Sequence, residues 1–195
     1  MTTLYANGQI RTPQGLKVSP TSYAALEEIA LELRKVLPVS RGERFHLNCI
    51  NVLEQTLPRA GYNFKVLRRD EVEECAAFTI PDLRLVALRE DIYELLHDGN
   101  PFGRSTVIHE TAHIVLGHAV TLHRGQIGKR HQFYEDSEWQ AKALTAAIMM
   151  PIEACEAAHS SAELAQLCGT STQSASYRLE RLQKNGRIQR KPNFA

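Results

Sequence analysis

The chain reads as an α+β fold, and three features predict it. Apolar residues recur at helical spacing near the beginning, in the middle and at the end of the sequence. Between the first two helical regions, around residues 64–88, lie three short apolar or alternating runs of strand length. The composition, 43% apolar and 23% charged over 195 residues, is that of a globular chain able to bury a core.

The elements follow in order. Residues 1–20 are polar and interrupted by Gly8, Pro13, Gly15 and Pro20, which predicts a loose lead-in. Over 21–36, Leu26, Ile29, Ala30 and Leu33 repeat at helical spacing. Residues 40–43 have the composition of a helix start. Ile50, Leu53 and Leu57 then mark a helix that ends before Pro58 and Gly61. Runs 64–67, 75–80 and 83–88 read as strands. Pro81-Asp82 makes the last two a hairpin, so a small antiparallel sheet packed on helices is expected. Residues 92–96 form a short helix, and Asn100-Pro101-Phe102-Gly103 breaks the chain. A long helix is expected from near Ser105 to about Thr121, then a polar loop over 122–134, then an alanine-rich helix over 135–150 stopped by Pro151. Two short helical patterns within 161–184 are split by Gly169-Thr170-Ser171. Three parts result: a lead-in over 1–20, a main domain over 21–158 and a C-terminal helical segment over 159–195.

The four cysteines, Cys49, Cys75, Cys155 and Cys168, are far apart and form no CxxC pair. That excludes a disulfide framework and a cysteine-type zinc site, and fits four small core residues in a reducing compartment. Residues 1–11 lack an apolar signal region, and no run reaches membrane-spanning length. A soluble cytoplasmic protein without a membrane partner is expected. The net charge of +1 hides an asymmetry: residues 172–195 carry six basic residues against Glu180 alone, a local +5 that leaves −4 elsewhere.

The chemistry lies in His109-Glu110-Thr111-Ala112-His113, an HExxH sequence. Residues four apart on a helix differ by about 40° in direction, so the two histidines can share one metal. Glu110 is turned by about 100° and stands beside the metal face, where it can take a proton from water. Val107, Ile108, Ala112, Ile114, Val115 and Leu116 make this helix apolar nearly all round, so it should be buried. Buried imidazoles and a carboxylate need partners, and a zinc ion supplies them.

Zinc requires a third protein ligand. A histidine six residues after His113 would supply one, but position 119 is alanine. His118 would lie on the opposite face of a continuing helix, which makes it a supporting or surface residue. The intervening loop offers His123 and His131, and the next helix offers Glu135, Asp136 and Glu138. Spacing favours Glu138 among these: Ala141, Lys142, Thr145 and Met149 share its face, and Ala141 and Thr145 are small enough to admit close approach of the zinc helix. His131 and Tyr134, in the loop between the ligand helices, are candidate donors to a developing oxyanion. The strand over 75–80 offers an edge for an extended substrate.

Two stretches resemble the ImmA/IrrE metallopeptidase family. One is His109-Glu110-Thr111-Ala112-His113-Ile114-Val115-Leu116-Gly117-His118. The other is the segment 138–151, where Glu138, Ala141, Met150 and Pro151 fall in register with the family's E-x-x-A-x-x-F-A-x-x-L-L-M-P, and Leu144 and Thr145 depart from it. The resemblance covers roughly residues 25–158. It implies a zincin-like, gluzincin-type domain with zinc on His109, His113 and Glu138 and with Glu110 as general base. It also implies cleavage of a helix-turn-helix repressor and release of the genes it silences, a role tied to stress regulation. Related enzymes often place an acidic residue three or four positions after the glutamate ligand to support a zinc histidine. Those positions are Ala141 and Lys142 here, so that supporting carboxylate is either elsewhere or missing.

In the C-terminal segment, Ala165, Gly169 and Ala175 occupy helix-turn-helix positions, with Leu164 and Leu167 opposite Leu179 and Leu182. Ser161 and Ser171 are expected caps. Tyr177, Arg178, Arg181 and Lys184 would suit weak phosphate contacts to DNA; equally, the two helices would form an appendage that packs on the main domain or grips the protein substrate. A second function class is therefore open: a DNA-binding regulator that uses the zincin domain as a scaffold or metal sensor. Intact Glu110 favours the enzyme.

Overall fold

The computed structural model describes residues 4–6, 9–11, 15–72, 75–118 and 132–189. Strands β1 (Leu4–Ala6) and β2 (Gln9–Arg11) pair as an antiparallel hairpin. Residues 15–21, expected to be part of a loose lead-in, run as an extended ribbon against residues 134–137. Val18 N–H donates to Glu135 O at 2.8 Å, Thr21 N–H to Tyr134 O at 3.1 Å, and Ser137 N–H to Leu16 O at 3.0 Å. Gly15 is the residue that permits the approach: a Cβ there would stand 2.4 Å from Ser137 Oγ.

Helix α1 (Tyr23–Arg34) is capped by Ser22. The helix start expected at 40–43 is a turn closed by Glu43 N–H to Ser40 O. Asn48 is the cap instead, accepting from Asn51 N–H at 2.9 Å. Helix α2 (Cys49–Asn51), a π-helical turn (Val52–Thr56) and α3 (Leu57–Arg59) run on from it. The wide turn lets the backbone carry Pro58, which has no N–H to give, where a stop was expected.

Strands β3 (Asn63–Leu67), β4 (Ala77–Ile80) and β5 (Leu85–Arg89) form one sheet in the order β3-β5-β4. The hairpin around Pro81 is present, with β4 antiparallel to β5. The sheet is nevertheless mixed rather than antiparallel, because β3 pairs with β5 in parallel. The hairpin takes one side of β5, so β3 must enter along the other. Val86, Ala87 and Leu88 of the central strand are fully buried.

Helix α4 (Glu90–His97) leads into α5 (Pro101–Val115). Asn100-Pro101, read as a break, is a helix start: Asn100 Oδ1 accepts from Phe102 N–H at 2.9 Å, and proline at the first turn loses no hydrogen bond. Helix α5 also ends earlier than expected, because Gly117 adopts a left-handed φ of 64° and turns the chain away. Asp136 caps α6 (Ser137–Met149), accepting from Trp139 N–H at 2.9 Å. Helices α5 and α6 pack side by side, with α1 against α6 and β4 against α5. Val107, Ile108 and Ala112 of α5 and Ala141, Leu144 and Ile148 of α6 have essentially no exposed surface. Burying each of the larger of these side chains is worth about 1.5–3 kcal/mol.

Helices α7 (Ile152–Ala157), α8 (Ser161–Cys168) and α9 (Thr172–Lys184) complete the chain. Ser160, one residue before the expected Ser161, caps α8, and Ser171 caps α9 as expected. Leu164, Ala165, Cys168, Ala175, Leu179 and Leu182 join the same apolar core as α5 and α6. Arg178, expected to contact phosphate, is 4% exposed. Its guanidinium grips Glu27 of α1 with both Nη atoms, and its Nε donates to Met150 O at 3.0 Å. The Arg181 guanidinium lies 3.8 Å over the Tyr23 ring. The C-terminal helices are thus fastened to α1.

Two outcomes follow. Arg178→Ala leaves Glu27 charged in a site where its side chain is 10% exposed, and should cost about 3–5 kcal/mol in urea unfolding. Burial pushes the thiols of Cys49 and Cys155 up to about 11 and that of Cys168 to about 12. A thiol reagent at pH 8 should therefore label the native chain at half-buried Cys75 and reach the other three only on unfolding.

Candidate metal centre

Each donor of the centre is held by a different local device. His109 and His113 stand one turn apart on α5, whose apolar surroundings fix its position. Glu138 stands in the first turn of α6, two residues after the Asp136 cap. Because α6 starts beside α5, the three side chains meet: every donor atom lies within 4.8 Å of the others. His109 Nε2 is 3.1 Å from His113 Nε2 and 3.3 Å from Glu138 Oε2, and His113 Nε2 is 3.1 Å from Glu138 Oε1.

This triangle fits zinc. Bonds of about 2.0–2.1 Å in a tetrahedral site place neighbouring donors about 3.3 Å apart. Among the described residues the donor set is two imidazoles and one carboxylate, ligand types that zinc takes. The other acids near Glu138 are otherwise engaged. Asp136 Oδ1 caps α6 while its Oδ2 accepts from Gly15 N–H at 3.0 Å. Glu135 accepts from Gln132 N–H and pairs with Lys17 at 3.4 Å.

Glu110 lies outside the donor triangle and is 4% exposed. Its Oε2 accepts from Thr79 Oγ1 at 2.7 Å. Thr79 is the one buried residue of β4, on the face turned to α5. Sequence reasoning did not find Thr79. The hairpin was visible, but which of its side chains would reach across to α5 depends on the packing of sheet on helix.

His118 is buried beside the donors, not on an opposite helical face, because Gly117 has already ended the helix. Its Nδ1 is 2.9 Å from His113 Nδ1, and its Nε2 is 3.1 Å from Gln140 Oε1. Burial pushes its pKa down, while the Gln140 hydrogen bond opposes the shift. No acidic residue stands at 141 or 142; the neighbour of His113 Nδ1 is His118. Tyr134 is 39% exposed and its ring packs edge-on against Phe133. Among the described residues it offers the site its backbone carbonyl, which accepts from Gln140 Nε2. His123 and His131 lie outside the described residues.

Comparison with known families adds one finding. Residues 97–180 match the IrrE N-terminal-like domain, Peptidase_M78. The resemblance first carried by two motifs is thereby shown. The match spans α5, α6 and all three donors, and continues through α8 into α9. The family is one of peptidases, generally metal-dependent. No curated protein and no solved structure matches the chain.

The centre predicts one metal ion per chain. Glu138→Ala should weaken zinc binding by at least tenfold in a chelator competition, whereas Glu110→Gln should leave it within about twofold, since Glu110 is not a donor.

Proposed function

We propose that the chain is a zinc-dependent endopeptidase of zincin-like fold that cuts a peptide bond in a protein substrate. The observation that carries this reading is Glu110: a buried carboxylate next to the donor triangle but outside it, oriented by a hydrogen bond. A scaffold or metal sensor has no use for such a group. When bound, zinc would supply a Lewis acid to the scissile carbonyl and make water acidic enough to deprotonate near neutral pH. Glu110 takes the proton from the attacking water and delivers it to the leaving nitrogen. Thr79 holds the carboxylate in place for both transfers.

Substrate binding is served by β4, which is an edge strand adjacent to α5. Its outer side, beside which no strand lies among the described residues, suits an extended peptide added as a further strand. A helix-turn-helix repressor as substrate, and relief of repression as the result, rest on the family resemblance. Action in the cytoplasm accords with that substrate. No helix among the described residues is long and apolar enough to cross a membrane. The reading of a DNA-binding regulator is weakened by Arg178 and Arg181, which are engaged with Glu27 and Tyr23. A weak DNA contact would fall to exposed Tyr177, Lys184 and Arg187. Arg190 and Lys191 lie outside the described residues.

The test is incubation of the zinc-loaded chain with small helix-turn-helix repressors encoded beside its gene, with products read by intact-mass spectrometry. A single cut by wild type and none by Glu110→Gln is expected. Absence of cleavage by zinc-loaded wild type would count against the enzyme. Thr79→Val should lower kcat by about 2- to 10-fold, the worth of one hydrogen bond, with zinc affinity unchanged.

A further inference from the structure

We infer that His118 and Gln140 are positioning residues that select the ring tautomer of His113. The inference rests on the metal-centre reading above and adds a mechanism by which the fold prepares one ligand. It begins at the far end of the chain of contacts. Gln140 Nε2 lies 2.7 Å from Ser19 O and 2.7 Å from Tyr134 O. Two carbonyl oxygens at that distance require the amide NH2, because the reversed amide would set oxygen against oxygen. Both donor positions are filled, and Gln140 Oε1 is left as an acceptor.

The proton positions then follow in turn. His118 Nε2, at 3.1 Å from Gln140 Oε1, must carry the hydrogen. In a neutral ring His118 Nδ1 is therefore an acceptor. His113 Nδ1, at 2.9 Å, must donate to it. A neutral imidazole with its proton on Nδ1 bears its lone pair on Nε2, the atom that faces His109 and Glu138. His118 is 4% exposed and Gln140 2% exposed, so the relay works away from competing water.

The relay also assigns a purpose to the ribbon over 15–21. Ser19 O is one of the two carbonyls that orient Gln140, and the ribbon is pinned along 134–137 by its own backbone bonds. The tautomer of a residue on α5 is thus set by backbone that precedes α1. An ordinary second contact to a zinc histidine is a carboxylate or a carbonyl. Here a neutral histidine and an amide do the same work without adding negative charge beside Glu138.

The test is ¹⁵N-histidine NMR on the zinc-loaded chain. The expected result is a proton on His113 Nδ1, a proton on His118 Nε2, and a through-hydrogen-bond coupling between the two Nδ1 nitrogens. In Gln140→Met, which removes both the acceptor and the donors, His118 should sample both tautomers and zinc affinity should fall about 10- to 100-fold. A His118 proton on Nδ1 in wild type would overturn the relay, and that result does not depend on whether the variant folds. Folded Gln140→Met with unchanged tautomers and unchanged affinity would also overturn it. Wild type that fails to bind zinc at all would instead overturn the metal centre, and the relay's purpose with it.

Discussion

A carboxylate on α6 reaches two imidazoles on α5, and this convergence sets the demands that the rest of the fold meets. The helices must lie close, so their shared face is built from residues such as Ala112 and Ala141, which have no exposed surface. The first turn of α6 must start beside the second half of α5, so its position is fixed by the Asp136 cap and by the ribbon through Gly15. Three donors that would repel or lose solvation when buried separately are tolerable together because a single cation can satisfy all of them.

The same packing separates the two carboxylates by role. Glu138 enters the donor triangle because it projects from a neighbouring helix. Glu110 shares a helix with the histidines and is turned out of their direction, so it meets the sheet instead. There Thr79 donates to it. One carboxylate therefore lies among the candidate metal donors while the other is held by a threonine hydroxyl outside them. The division comes from helical geometry and the placement of β4, with no special residue required.

Much of this was legible in the sequence because the informative patterns are local. HExxH specifies its own geometry once the segment is helical. Small residues at 141 and 145 mark a face of close approach, and Pro151 marks its end. The hairpin was visible in Pro81. What could not be read depends on contacts between distant segments. The parallel entry of β3 has no local signature, and neither does the ribbon over 15–21, whose polar composition resembles a loose end. His118 was placed by extrapolating a helix that Gly117 stops. The basic residues of α9 looked solvent-facing by composition, yet Arg178 completes a pair with Glu27, 151 positions away. Charge alone does not reveal which guanidinium is buried.

The central claim is that His109, His113 and Glu138 form one three-donor zinc site with an open position. Zinc K-edge X-ray absorption on the loaded chain tests it most directly. The account predicts a four-coordinate shell of nitrogen and oxygen only, at about 2.0–2.1 Å, with outer-shell scattering from two imidazoles. A sulfur scatterer at about 2.3 Å, or a shell containing fewer than two imidazoles, would contradict it.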